Sequence, residues 1–190
     1  IGGDQVTYKG SKVVAKNLKT ALNFYLMQSV SESSDELYPA SSIQDKIVQI
    51  YENYKAKFSF ITELKHNLVI FEKFCNRDLY MPMGNCHGDL TLANLKVTEE
   101  NQLYLFDFLS CEINSPLQDA TKLMQDFDYG WSFREEKDSI RVKGEIFCEC
   151  AYPEFIKTLE RLFPYEMKVL EILTIFRIAP YINEHNKATI

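Results

Sequence analysis

His87-Gly88-Asp89-Leu90-Thr91-Leu92-Ala93-Asn94, followed by Leu105-Phe106-Asp107-Phe108, are the two stretches on which the reading of this chain turns. They set polar residues of catalytic type among apolar neighbours. Between them Leu95 and Val97, the polar run Thr98 to Asn101, and then Leu103 and Leu105 alternate with period two about a short turn, which predicts a β-hairpin. With the turn centred on Glu100 and Asn101, antiparallel pairing sets Asn94 opposite Asp107, so that both side chains leave one face of the ribbon.

That pairing has chemical content. A carboxylate and an amide carbonyl are hard oxygen ligands that suit Mg²⁺, which takes one or two protein groups and completes its shell with water and nucleotide phosphates. Asn94 and Asp107 are therefore the candidate metal ligands. Asp89 precedes Asn94 in the same loop, within reach of the metal yet free to accept a proton from an incoming hydroxyl, and is the candidate base. Phosphoryl transfer asks a protein mainly to align donor and acceptor and to neutralise phosphate charge, which is what such a trio can do.

His87, Asp89, Leu90 and Asn94 match the kinase catalytic-loop pattern H-x-D-L-x-x-x-N, and Asp107-Phe108 resembles the metal-binding Asp-Phe that follows it. With Gly88 between His87 and Asp89, the loop is more similar to the aminoglycoside phosphotransferase and choline kinase superfamily than to protein kinases. Ser115-Pro-Leu-Gln-Asp119-Ala-Thr-Lys-Leu123 looks like the family segment in which an Asp at a helix start buttresses the catalytic loop. A narrower likeness, to bacterial phosphotransferases associated with surface-polysaccharide synthesis, runs through Leu117 to Asp126 and Tyr129 to Arg134. Leu109 stands where protein kinases carry the Gly of their Asp-Phe-Gly.

The resemblance implies the helical C-terminal lobe of a protein-kinase-like fold, mainly α with a small β-hairpin carrying the metal site. It implies an ATP- and Mg²⁺-dependent transfer of the γ-phosphoryl group to a hydroxyl of a small molecule: an aminoglycoside, amino alcohol or sugar-like compound. Asp89 is then catalytic, Asn94 and Asp107 hold the metal, and His87 and Asp119 support the loop. The family's N-terminal lobe, which supplies a nucleotide-covering loop and a phosphate-binding Lys, is not readable here. Val14-Ala15-Lys16 is superficially similar to the strand bearing that Lys, but too few residues separate it from His87. The fragment by itself is expected to be inactive. The alternative, from another class, is a non-catalytic nucleotide- or partner-binding module that keeps the same lobe.

Elsewhere the chain reads as helix. Residues 1 to 12, with Gly2, Gly3 and Gly10, read as loop, and Val13 to Val30 as helix, ended by Ser31 to Ser34, with the Ser-rich patch Ser29 to Ser34 as a surface loop. Ser42 followed by Asp45 suggests a capping box for a helix with Ile43, Ile47, Ile50, Tyr51, Tyr54 and Phe58 at helical spacing. Leu64, Leu68, Phe71, Phe74 and Cys75 continue that spacing, and Pro82 and Gly84 predict a loop from Met81 to Ala93. Leu117, Ala120, Thr121, Met124 and Phe127 begin a return to helix, continued by Phe155, Leu159 and Leu162 and by a final run after Pro164. No internal repeat divides the chain, and residues 1–190 are expected to form a single domain.

Composition excludes several classes. Of 190 residues 46% are hydrophobic and 25% charged, as in an ordinary globular chain. The net charge of −6, with scattered Lys and Arg, speaks against nucleic acid as a partner. Apolar runs break well short of a membrane span. The chain opens at Ile1 without a signal-peptide pattern and is expected to be part of something longer. Five cysteines (Cys75, Cys86, Cys111, Cys148, Cys150) show no disulfide framework, which fits a reducing, cytoplasmic setting. Cys148-x-Cys150 lacks the second pair of a zinc site, and His66 and His185 have no ligand-spaced companions. Tyr129, Trp131 and Arg134 could line an acceptor pocket, but packing and a surface ion pair are the plainer reading. Glu135, Glu136 and Asp138 read as a solvated loop.

Overall fold

A computed structural model describes residues 8–57, 61–98, 100 and 102–181. It is mainly helical. The elements in chain order are α1 (Tyr8–Ser31), β1 (Ser34–Tyr38), α2 (Ala40–Tyr54), α3 (Ile61–Phe74), β2 (Leu79–Met83), β3 (Leu95–Val97), β4 (Leu103–Leu105), α4 (Pro116–Phe127), α5 (Asp138–Ala151), α6 (Glu154–Leu162) and α7 (Pro164–Ile178). Short 3₁₀ turns lie at Lys55–Lys57, Leu92–Asn94, Trp131–Phe133 and Ala179–Tyr181. Among the described residues no helix is long and apolar enough to cross a membrane.

The centre of the molecule is α4. Ser115 caps it by accepting from the Leu117 N–H at 3.2 Å, and Pro116 occupies the first turn, where its missing N–H is no loss. Every residue of α4 is buried, including Gln118, Asp119, Thr121, Lys122, Gln125 and Asp126. A helix covered on all sides must find internal partners for its polar groups, because an unpaired buried group costs about 1–3 kcal/mol. Thr121 and Gln118 meet Thr174 of α7, at 3.2 and 3.4 Å. The charged residues turn the other way, toward the loop between β2 and β3.

Around α4 pack α7, α1 and α5. Ala15, Leu18, Leu22 and Leu26 recur at helical spacing and form the buried stripe of α1, while Gly144, Cys148 and Ala151 give α5 a small-residue face. Ile43 and Ile47 anchor α2 in the same core.

The structure departs from expectation in four places. Residues 8–12, expected as loop, already belong to α1. Helix α2 begins at Ala40, before Ser42, and the free N–H of Ala40 is satisfied by the Asp78 carboxylate at 3.0 Å rather than by a capping box. The early part of the expected loop from Met81 is instead strand β2, paired antiparallel with β1 from Tyr38↔Leu79 to Ser34↔Met83. Pro82 is tolerated because this sheet has only two strands and Pro needs no ladder donor on an edge. Finally, the β3–β4 register is Leu95↔Leu105 and Val97↔Leu103, which centres the turn on Glu100 and sets Asn94 opposite Phe106, not Asp107. The odd-length connection is closed by Thr98 N to Gln102 O at 3.0 Å. Residues 1–7, with Gly2 and Gly3, and Phe58, Asn101 and His185 lie outside the described residues.

Candidate functional site

The loop 87–94 hangs from one stripe of α4. Asp119, Lys122 and Asp126 lie at i, i+3 and i+7 and so share a helix face. Each holds a different part of the loop. Asp119 accepts from the His87 N–H at 2.7 Å and the Gly88 N–H at 2.9 Å. Asp126 accepts from the Leu92 N–H at 2.6 Å. Between them Lys122 Nζ reaches Asp89 Oδ1 at 3.0 Å. Leu90, fully buried, pins the loop from the apolar side.

Burial sets the electrostatics of this stripe. It pushes the Asp119 carboxyl upward, against the pull of the His87 N–H, the Tyr25 hydroxyl and the Gly88 N–H. It pushes Asp126 upward too, against the Leu92 N–H and Ser132. It pulls the Lys122 ammonium downward, against the attraction of Asp89. Tyr25 of α1 donates to Asp119 Oδ2 at 2.7 Å, and its own hydroxyl is raised first by burial and then by that carboxylate.

Asp89 is shared between two donors. Asn94 Nδ2 donates to Asp89 Oδ2 at 3.1 Å and to the Asp89 carbonyl at 2.9 Å. Both of these partners can only accept, so the amide is fixed with its nitrogen toward Asp89 and its Oδ1 away from it.

His87 joins this loop to the second segment. Its ring Nδ1 accepts from the Asp89 N–H at 3.3 Å, so Nε2 carries the hydrogen and donates to the Phe106 carbonyl at 2.6 Å. Its carbonyl accepts from the Leu109 N–H at 3.0 Å, and its ring packs on Phe108 with centroids 4.4 Å apart. His87 thus clips the arch 106–109 at both feet. At the top of that arch Asp107 has φ 55°, the only positive φ outside glycine among the described residues. Such a left-handed residue carries strain and persists only where its surroundings impose it, and strain of this kind collects at functional sites. The strand alternation that was to align Asp107 with Asn94 ends here. Proximity comes instead from the backbone bond between Phe106 N and Asn94 O, 2.9 Å, together with the His87 clip.

The structure therefore brings together Asp89, Asn94, His87 and Asp119 and places Asp107 one residue beyond Asn94's strand partner. The exposed Asp107 carboxylate makes no hydrogen bond or ion pair among the described residues. Among the described residues no group of three or more His, Cys, Asp or Glu is arranged to hold a metal. Lys122 and Asp126 were not singled out in the sequence. The alternation of charge along 119, 122 and 126 was the signal available for them.

Other expectations resolve simply. Lys16 is exposed on α1, a helix and not a strand. The Arg134 guanidinium lies over the Trp131 ring at 4.1 Å and pairs with Glu135 at 3.6 Å. His66 is exposed on α3. A cavity of about 780 Å³ lies at the C-terminal end of α4, walled by Asp126, Asp128, Tyr129, Tyr152 and Glu171 among others, and Asp89, Asn94 and Asp107 are not part of its lining.

The sequence matches no protein-family model, and no curated protein matches it.

Proposed function

We propose that this chain is the helical C-terminal lobe of a protein-kinase-like phosphotransferase that moves the γ-phosphoryl group of ATP to a hydroxyl of a small molecule. The observation that carries the reading is the double hold on Asp89: Lys122 at Oδ1 and Asn94 at Oδ2, on a loop hung from α4. A carboxylate has about four acceptor positions, so two such donors orient it and still leave room for a substrate hydroxyl. Asp89 orients that hydroxyl and takes its proton as the new P–O bond forms.

Asn94 Oδ1 and Asp107 would hold Mg²⁺ bound to the nucleotide, which supplies the phosphoryl group and offsets its charge. Asn94 then faces both ways, toward the metal with its oxygen and toward Asp89 with its nitrogen. His87 sets the spacing between the two segments, and Asp119 sets the height of the loop on α4. The reading requires a nucleotide-covering lobe with a phosphate-binding Lys, supplied elsewhere in the full protein. The resemblance of His87 to Asn94 and of Asp107-Phe108 to the phosphotransferase superfamily supports the same reading.

The test is transfer from ATP with Mg²⁺ by the full-length protein, across sugars, amino alcohols and aminoglycosides. Asp89→Asn should lower the rate by roughly 10²–10⁴, the range of a positioned base, while circular dichroism and thermal melting show a folded protein. A folded Asp89→Asn protein that keeps its full rate overturns the assignment.

A further inference from the structure

Two cysteines flank the candidate catalytic loop and face each other across it. Cys86 immediately precedes His87, and Cys111 lies just beyond the 106–109 arch. Backbone hydrogen bonds from Gly84 N to Asn114 O, 2.8 Å, and from Leu109 N to His87 O, 3.0 Å, run the two segments antiparallel and bracket the pair. Inside the bracket the Cys86 thiol donates to the Ile113 carbonyl at 3.8 Å, and its sulfur is near enough to Cys111 to affect the titration of that thiol. A Cβ built on Gly88 would meet Cys111 Sγ at 2.4 Å, so this sulfur rests directly on the backbone between His87 and Asp89.

Cys111 is also reachable. Both thiols are partly exposed, and Cys111 lines a small cavity of about 140 Å³ together with Lys46, Gln118 and Arg177. The neighbouring Cys86 thiol holds the Cys111 thiol below its ordinary range, assisted by Arg177 and Lys46 and opposed by burial and Asp119, while Cys86 itself is pushed upward. Thiolate character and access are the two requirements for a reactive cysteine. The other cysteines lack one or the other. Cys75 and Cys148 are buried, with their thiols pushed upward by that burial, and Cys150 is exposed on α5 without a cationic partner among the described residues.

We propose that Cys111 is a hydroperoxide-reactive modification site with Cys86 as its resolving thiol, and that their disulfide ties the His87–Asp89 loop to the segment that follows Asp107. The Cys111 thiolate attacks the terminal peroxide oxygen. The O–O bond breaks, the distal oxygen leaves as an alcohol or water after taking a proton, and Cys111 becomes a sulfenic acid. The Cys86 sulfur then displaces the hydroxyl from the Cys111 sulfur, the S–S bond forms and water leaves with the Cys86 proton. Two thiols have lost two electrons to one peroxide. A disulfide draws the sulfurs to about 2.05 Å, which pulls Cys111 across the Gly88 backbone and shifts Asp89 relative to Asp107. This last consequence rests on the phosphotransferase reading; the oxidation chemistry does not.

The experiment uses the reduced full-length protein, treated with hydrogen peroxide, quenched by alkylation and mapped by mass spectrometry. The expected product is a Cys86–Cys111 cross-link that forms at least tenfold faster than oxidation of Cys150 and is reversed by dithiothreitol. In Cys86→Ser, dimedone should label Cys111; in Cys111→Ser, Cys86 should stay reduced. No cross-link in the folded wild type, or oxidation of Cys150 as fast as Cys111, overturns the proposal. Transfer activity, measured on the same samples, should fall at least tenfold on oxidation and return on reduction. An unchanged rate in the cross-linked protein overturns the clamp, while absence of activity in both redox states counts against the phosphotransferase reading and leaves the cross-link as the deciding observation.

Discussion

Lys122 Nζ lies 3.0 Å from Asp89 Oδ1, and the Lys122 side chain is only 6% exposed while that of Asp89 is 29% exposed. The pair is asymmetric: one charge is inside the protein and the other stands at its edge. Water can replace Lys122 at Asp89 more easily than it can replace Asp89 at Lys122. Gln125 Oε1, at 2.7 Å, is the other acceptor on the ammonium.

The asymmetry predicts unequal costs. Asp89→Ala leaves a buried ammonium with Gln125 alone and should destabilise by about 2 kcal/mol, below the 3–5 kcal/mol of a fully buried broken pair. Lys122→Met should cost less, since the carboxylate it frees can hydrate. The double variant should be more stable than the sum of the two losses by about 1 kcal/mol or more, as expected for residues in contact. Urea denaturation of the four proteins measures this coupling, and additive losses would show that the ion pair contributes nothing.

Asp119 accepts three hydrogen bonds, from His87 N, Gly88 N and the Tyr25 hydroxyl. Replacing it with Ala strands all three donors in the interior, at about 1–3 kcal/mol for each buried group left unpaired, so Asp119→Ala should lower stability by about 3 kcal/mol or more. Tyr25→Phe removes one donor and leaves Asp119 two others; its expected cost is about 1 kcal/mol. Hydrogen exchange should localise the damage. In Asp119→Ala the amides of residues 87 to 92 lose protection before those of α7.

The helices around this loop were legible because their periodicity is local: Ile43 and Ile47 on α2, or Leu117 and Met124 on α4, announce a helix within a few residues. Strand β1 was not. Ser34-Asp35-Glu36-Leu37-Tyr38 is polar and mostly exposed, and it is a strand only because Leu79 to Met83, far along the chain, offers a partner. Pro82 then disguised that partner as loop. The hairpin was visible but its register was not, since shifting the turn centre from between Glu100 and Asn101 to Glu100 leaves the same alternation of Leu95, Val97, Leu103 and Leu105.

The candidate site was legible to the same degree as its local pattern. His87, Asp89 and Asn94 fall in one short stretch, and their mutual hydrogen bonds follow from that nearness. Lys122 was hidden because a Lys in a helix is ordinarily solvated, and only the apolar residues on every side of α4 reveal that this one is buried. The left-handed turn at Asp107 depends on His87 gripping both ends of the arch, a tertiary contact with no trace in the local sequence.

That turn makes a prediction in which stability and function move apart. At φ 55° a Cβ is costly, so Asp107→Gly should be as stable as the wild type or more so, by up to about 1 kcal/mol. Asp107→Ala should lose about 1 kcal/mol, because Ala lacks the local polar contacts that let Asp and Asn tolerate this region. Both should weaken Mg²⁺-dependent nucleotide binding by the full-length protein, read by calorimetry at fixed ATP with and without Mg²⁺. A Gly variant less stable than the Ala variant would show that the left-handed conformation is not imposed in solution.

Asp128, at the end of α4 beside the large cavity, supplies a pH dependence whose sign can be worked out. Burial, then Glu160 and Glu171, raise its carboxyl to about 6, against Tyr152 and Lys157. In the unfolded chain it titrates in the ordinary range near 3.8. The folded protein therefore binds this proton more tightly than the unfolded chain does, and stability falls as pH rises from about 4 to about 6, then levels off once both states have released it. Asp128→Asn cannot ionise yet still offers an oxygen to the Tyr152 hydroxyl, which sits 3.3 Å from Asp128 Oδ2. The variant should therefore have a higher urea midpoint than the wild type at pH 7 and the same midpoint at pH 4. A midpoint difference that does not change with pH would mean that the carboxyl titrates alike in both states, and that the acidic wall formed with Glu160 and Glu171 is fully screened by water.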